Sequence, residues 1–592
     1  MLTTEEVATG FPPTRQPPRS AWSRTNTAEP VGVVLVRLGR TVAVELIDRT
    51  SVRVMPTGTV DLTEVAARLA NRASNRAEAT VQSDLRLLLL AAGLNLREDH
   101  LEEVVLEAPV GKRRRIDVEV GATVFEVKRD LRVGNVRAEA VGQLAGYVRD
   151  RVVQVGARYV GVLTDGVEWH LYHLDGDELT PVSSYTLSGP AGLDGLVLWL
   201  DGVLATATAI TPTPTEVTRR LGAGSPAFAL DVADLTALYQ RYRGSPGVVM
   251  RRTLWSKLPS TALGTAFLDQ DSLFIEHTLL VLTAEIIGHA VVGFDPADPQ
   301  LGPATLVRGQ LFAAAQIRGV VEEDFFDWVL EATGGPAFVS TLARRLARFA
   351  WGAVEHDVMK VLYESVIAAD TRKSLGEYYT PDWLAEAIVN DAVPDPLTQR
   401  VLDPSCGSGT FVFHAVRRYL TTATAAGHTP AQAIDGVTQH VLGVDVHPVA
   451  VTLARVTYLL AIGRGRLAAA DRPAFTVPVY LGDSVQWGQN PDLLDSDALV
   501  VPTGDGATLF ADELRFPHRV VEDAARFDAL IGDLADAAAL PDRPAPAGVL
   551  NGAFRRHAVH PDDQPMVAAS YRVLCELHDS GPTTSGATTC AT

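Results

Sequence analysis

The chain has 592 residues, 47% of them apolar and 21% charged, and a formal net charge of −19. That composition is globular, with room for about three or four domains, and its overall field repels nucleic acid, so phosphate contacts are left to local basic clusters acting at short range. No apolar run has the length of a membrane span, the start MLTTEEVATGFPP lacks a signal-peptide pattern, and Cys406, Cys575 and Cys590 have neither disulfide nor zinc spacing; the expectation is a cytoplasmic protein with no membrane partner.

Residues 1–28, rich in Pro, Thr and Arg, read as a loose tail. Alternating apolar residues from Val31 to Val60 predict strands, and with the start of a helical stretch (Leu62 to Ala92) they define a small β/α element over 29–75. Residues 76–204 have mixed α/β character. The β-branched, Pro-rich run TATATAITPTPTEVT reads as a linker, taken as 205–225. Apolar residues then recur at three and four positions, predicting a helical connector over 226–370. A further α/β unit is expected over 371–580, and 581–592 is a tail of small residues. Basic clusters lie at Lys112–Arg115, Arg241 with Arg243, and Arg251–Arg252.

Two constellations carry chemistry. In RRRIDVEVGATVFEVKRDL, Asp117 falls on one predicted strand, and Glu126 and Lys128 fall on the same face of the next. Two carboxylates with a lysine can hold Mg²⁺ and position a water for phosphodiester attack, which marks Asp117 and Glu126 as metal ligands and all three as catalytic candidates. This D…ExK spacing, followed by QLAGY (Gln143, Tyr147) and GVLTDGVEWHLYHL, resembles the PD-(D/E)xK nuclease superfamily. Asp84 on the preceding helix is a weaker extra acid.

The second is VLDPSCGSGTF at 401–411, with GEYYTP (Gly376–Pro381) upstream. An apolar strand ends in Asp403, and Pro404, Gly407 and Gly409 belong to a tight turn whose amides and following helix N-terminus suit a carboxylate. HVLGVDVHPVAVTLARVTYLLA repeats the strand–acid–helix order, with Asp445 placed to accept ribose hydroxyls, and VYLGDSVQW ends in Asp483. Together these motifs resemble the cofactor site of N6-adenine DNA methyltransferases of fused restriction-modification and phage-defence type. The resemblance implies S-adenosylmethionine as cofactor, Asp403 facing its ammonium, Tyr379 and Thr380 covering that end, Asp483 accepting from its adenine amine, and double-stranded DNA as partner.

The step that should follow is missing. Adenine N6 transfer needs hydrogen-bond acceptors for the amine and a ring to stack on the flipped base, which the family supplies as Asn-Pro-Pro-aromatic. No such tetrapeptide occurs; Asn490-Pro491 lacks the rest, and RFDALIGDLADAA (526–538) reads better as an amphipathic helix. The end HDSGPTTSGATTCAT abandons apolar periodicity, and Thr583 to Thr592 is what a one-base shift would make of a stretch such as G-R-N-H-I-W-G-Y-Y-V-R-N in the resembled enzymes. The sequence reading therefore expects a frame shifted near Pro582 and a chain truncated before its catalytic motif, binding S-adenosylmethionine weakly at best and not methylating DNA.

The expected fold is α/β multidomain: a PD-(D/E)xK-like domain, a helical connector and an incomplete Rossmann-like class I methyltransferase domain. The alternatives are a Mg²⁺-dependent endonuclease with a vestigial methyltransferase half, or a non-catalytic DNA-binding subunit completed by a partner polypeptide. No G-x-x-x-x-G-K-[ST] is present, so no ATP-driven translocase is encoded in these residues.

Overall fold

The computed structural model describes residues 32–38, 41–47, 59–72, 76–94, 104–110, 114–263, 269–321, 324–354, 356–374, 379–482, 484, 498–502, 513–540 and 545–580. Alternation at the start forms an antiparallel sheet of β1 (Gly32–Leu38), β2 (Thr41–Ile47) and β3 (Thr59–Asp61). Asp61 then caps α1 (Leu62–Leu69), accepting from the Thr63 amide, and α2 (Glu78–Ala91) follows.

A six-stranded sheet comes next, in the order β4 (Val105–Val110), β5 (Arg114–Val120), β6 (Thr123–Val127), β7 (Val160–Thr164), β8 (Glu168–Asp175) and β9 (Glu178–Thr186). Only β6 and β7 run parallel, because α3 (Val136–Val155) crosses over between them. Adjacent residues of β6 serve opposite faces: Val124 packs with Leu144 and Val148 of α3, while Phe125 and Val127 pack with Leu85, Leu88 and Trp199. Trp199 lies on α4 (Leu193–Leu204), its ring edge-on to Trp169 at 6.4 Å.

The segment expected to be a linker is built in. Thr213 accepts from the Glu216 amide and caps α5 (Pro214–Leu221), whose Val217 and Leu221 are buried. A capping Thr, Pro at the first helical position and apolar residues four apart are helix-start signals that the Thr/Pro composition concealed. Arg220 of this helix pairs with Asp201 of α4, tying the first unit to the connector.

The connector is helical as its periodicity predicts: α6 (Pro226–Tyr242), α7 (Pro246–Leu263), α8 (Asp271–Val292), α9 (Pro303–Val307), α10 (Gln310–Ala314), α11 (Gly335–Leu346), α12 (Val358–Val366) and α13 (Ala369–Ser374), with a two-residue strand β10 (Ile317–Arg318). α8 is long and apolar enough to cross a membrane, unlike the sequence expectation, yet most of it is buried inside the protein. A helix apolar all round is a core helix, and burial pushes the carboxyl of its Glu285 well above the usual range.

After α14 (Asp382–Ala392) the chain enters a parallel sheet ordered β11 (Val401–Asp403), β12 (Val441–Asp445) and β14 (Val479–Leu481). Its connections carry α15 (Thr410–Ala425), α16 (Pro430–His440), α17 (Pro448–Ile462), α18 (Arg464–Leu467) and β13 (Phe475–Thr476), which pairs with β10. The connector and this sheet share one hydrophobic core, with α8 against α17: a Cβ on Gly288 would sit 3.5 Å from Val456.

The remaining described residues form a separate core. A hairpin of β15 (Ala498–Pro502) and β16 (Glu513–Pro517) packs with α19 (His518–Val521), α20 (Ala524–Ala539), α21 (Pro546–Arg556) and α22 (Gln564–Ser580) around Phe516, Leu530, Ile531 and Leu534. The stretch 526–538 is thus the amphipathic helix expected of it. The span taken as one methyltransferase unit, 371–580, contains two hydrophobic units. Asp483, Asn490-Pro491, Gly376–Tyr378 and the tail 581–592 lie outside the described residues.

Candidate cofactor site

β11 ends in Asp403, and the chain turns at once. Cys406 donates its amide to the Val444 carbonyl (2.9 Å), stitching the turn to β12, and Gly409 donates to the Cys406 carbonyl (2.8 Å). Gly407 and Gly409 have φ of +53° and +95°, where a side chain is strained. A Cβ on Gly407 would meet nothing within 4 Å, so that glycine leaves the loop open above it. A Cβ on Gly409 would lie 3.1 Å from the Ala454 Cα, so this second glycine lets α15 approach α17. Cys406 is buried behind the loop, and burial pushes its thiol well up, away from nucleophilic use.

The two strand-end acids have different surroundings. Asp445 accepts from the Gly407 amide (2.8 Å) and the His447 amide (2.9 Å), so its carboxylate shapes the loop. Asp403 accepts from the Ser405 amide (3.2 Å) through one oxygen; the other is buried with no hydrogen-bond partner among the described residues. Burial raises both carboxyl pKa values, and the Asp445 charge raises Asp403 further. Two partly buried carboxylates side by side, one with an orphaned oxygen, suit a cationic donor. The methionine ammonium is such a group, and the open turn above Gly407 leaves space for it.

Of the upstream residues, Tyr379 packs on Tyr363 with ring centroids 5.5 Å apart, and the Thr380 carbonyl accepts from the Lys360 ammonium. The structure adds Asp357, which no motif marked. Fully buried, it caps α12 through the Lys360 amide (3.1 Å) and accepts from Thr410 Oγ1 (2.8 Å) at the start of α15. Burial pushes its carboxyl up to about 6. An acid before an apolar run is an ordinary cap signal; only the fold brings it beneath the loop. His447 was likewise unmarked: it is buried with its ring against His277 at 5.2 Å.

In the N-terminal sheet Asp117, Glu126 and Lys128 do converge. Lys128 Nζ lies 2.5 Å from Glu126 and 3.5 Å from Glu78 of α2, and Asp117 accepts from the Val127 amide (2.7 Å). Burial first, and the Asp117 charge second, push Glu126 up to about 7. Asp84 turns elsewhere, to Arg68 at 2.8 Å, so Glu78 is the acid that α2 contributes. Among the described residues no group of three acids, histidines or cysteines could hold a metal. Glu126 is paired with lysine and Asp117 with backbone, and nothing among the described residues supports the Mg²⁺ expected there.

Residues 354–465, the stretch containing the loop, match the family model described as N-6 DNA Methylase. The chain is also similar to the adenine-specific methyltransferase PglX of Streptomyces coelicolor, 29% identical over 136 residues, covering 21% of this chain and 11% of that protein, so it spans a small part of that relative's length. A solved structure described as a DrdV-DNA complex covers 71% of this chain and 40% of that one, at 14% identity and a TM-score of 0.26.

Proposed function

We propose that this chain binds S-adenosylmethionine at Asp403, Pro404, Gly407, Gly409 and Asp445, and belongs to a cytoplasmic DNA-adenine methylation system of restriction or phage-defence type. The orphaned, buried oxygen of Asp403 carries the reading. The methionine ammonium would satisfy it, loop amides and the start of α15 would face the carboxylate, and Tyr379 and Thr380 would cover that end. When bound, the cofactor supplies an electrophilic methyl group; the residues of this chain orient it.

The second half of the reading is that these residues do not complete transfer. No Asn-Pro-Pro-aromatic stands anywhere in the sequence to accept from the adenine amine and stack on the base. A partner polypeptide would supply it together with recognition of double-stranded DNA. The α2–β5–β6–α3–β7 order supports reading the N-terminal unit as a PD-(D/E)xK-like fold.

Calorimetric titration tests this. S-adenosylmethionine should bind the unaltered chain, and Asp403→Ala should weaken it roughly tenfold or more, as expected for losing a charge-assisted contact. Labelled methyl groups should not reach DNA. Equal binding by Asp403→Ala, or transfer by the purified chain, would overturn the respective half.

A further inference from the structure

The helices leaving the cofactor loop end together on the far side of the sheet. α15 and α17 start at Thr410 and Pro448, beside the strand ends, and run back past the strands. At about 1.5 Å per residue, their C-terminal ends lie roughly 20 Å from the loop. There they border an open cleft with a cavity of about 610 Å³, lined by Val354, Arg417, Thr424, His428, Arg464 and Arg466 among others.

No carboxylate among the described residues lines this cleft. Neither Arg464 nor Arg466 forms an ion pair among the described residues, although acidic residues outnumber basic ones in the chain, 71 to 52. Arg466 is oriented by two contacts, to the Ile462 carbonyl (3.3 Å) and to Thr424 Oγ1 (3.0 Å). A guanidinium has five N–H donors, so these two leave its others available. Arg464 lies exposed on the rim, with its stem so close to Gly352 that a Cβ there would be 3.0 Å from its Cδ. Arg417, also in the lining, is braced by the Val354 carbonyl and by the Phe413 ring.

Arginines as helix-end caps account for Arg466 alone. They do not account for a concavity, with no carboxylate among its described lining residues, that gathers three guanidiniums and a histidine. From this convergence we infer a second ligand site, remote from the cofactor loop, that binds phosphoryl oxygens. Guanidinium matches phosphate geometry through paired N–H groups, and low-dielectric walls strengthen such contacts. The cleft exceeds a lone phosphate ion, so the ligand is a phosphate-bearing molecule: a length of nucleic-acid backbone or a free polyphosphate. The site does not depend on the S-adenosylmethionine reading.

The test uses the full chain with two probes, inorganic tripolyphosphate and a short DNA duplex, against the double variant Arg464→Ala/Arg466→Ala. At least one probe should bind the unaltered chain and weaken roughly ten- to hundredfold in the variant. Loss for the duplex, with tripolyphosphate competing, identifies nucleic-acid backbone; its log-affinity against log-salt slope should also fall by about two. Loss for tripolyphosphate alone identifies a free polyphosphate. Arg464→Lys/Arg466→Lys should recover part of the affinity, separating charge from folding. S-adenosylmethionine titrated in parallel should bind variant and parent alike, so failure at the loop is read apart from failure at the cleft. Neither probe binding the unaltered chain, or both binding the alanine variant equally well, would overturn the inference.

Discussion

Asp403 and Asp445 are the same residue at the same place, a strand end, yet their surroundings divide their roles. Asp445 holds a backbone amide on each oxygen, while Asp403 keeps one oxygen without a partner among the described residues. Glu126 shows the same dependence on surroundings and makes a pH prediction. Its folded pKa of about 7 lies above its ordinary value, so below about pH 4.5 it is protonated in both states and its contribution is fully present. As pH rises toward 7 the unfolded chain releases this proton first, and the contribution is lost. Urea midpoints of the parent should therefore fall relative to Glu126→Gln between about pH 5 and pH 7, and level off above; a parent–variant difference constant over that window would refute the shift. Asp117, Glu126 and Lys128 were legible from strand alternation, as was Asp403 from its motif. Glu78 and Asp357 were not, because each is a lone acid near a helix start until the fold brings it beside Lys128 or Thr410.

Among elements, the α8–α17 seam matters most to the site. α17 begins three residues after Asp445 and packs along its length on a helix that precedes it by well over a hundred residues. Leu459, fully buried on α17, lies in the core that both helices share. Leu459→Ala should cost about 2–5 kcal/mol and lower amide-exchange protection in α8 as well as α17. Protection lost in α17 alone would mean that the two helices are separately stabilised. Periodicity made both helices legible, but two apolar faces do not name each other as partners. The helix Pro214–Leu221 was missed for a different reason: its cap and proline resemble linker composition until Val217 and Leu221 are seen to be buried.

At the scale of the molecule, hydrophobic cores rather than composition draw the units. The connector and the parallel sheet are one body of packing, while the hairpin and helices after Ala498 have their own core. Leu530→Ala, at the centre of that last core, should therefore destabilise residues 513–580 by about 2–5 kcal/mol and leave the S-adenosylmethionine affinity unchanged. A parallel loss of cofactor affinity would show that the two cores are coupled. From residue order alone one can read the strand–acid–turn–helix rhythm, the glycines at 407 and 409, the helical connector and the lack of an Asn-Pro-Pro-aromatic, since each is a local pattern. Which acid keeps an open oxygen, which helix backs the loop, and that three arginines share one cleft are facts of long-range packing. They depend on contacts between residues tens to hundreds of positions apart, and no local periodicity encodes those.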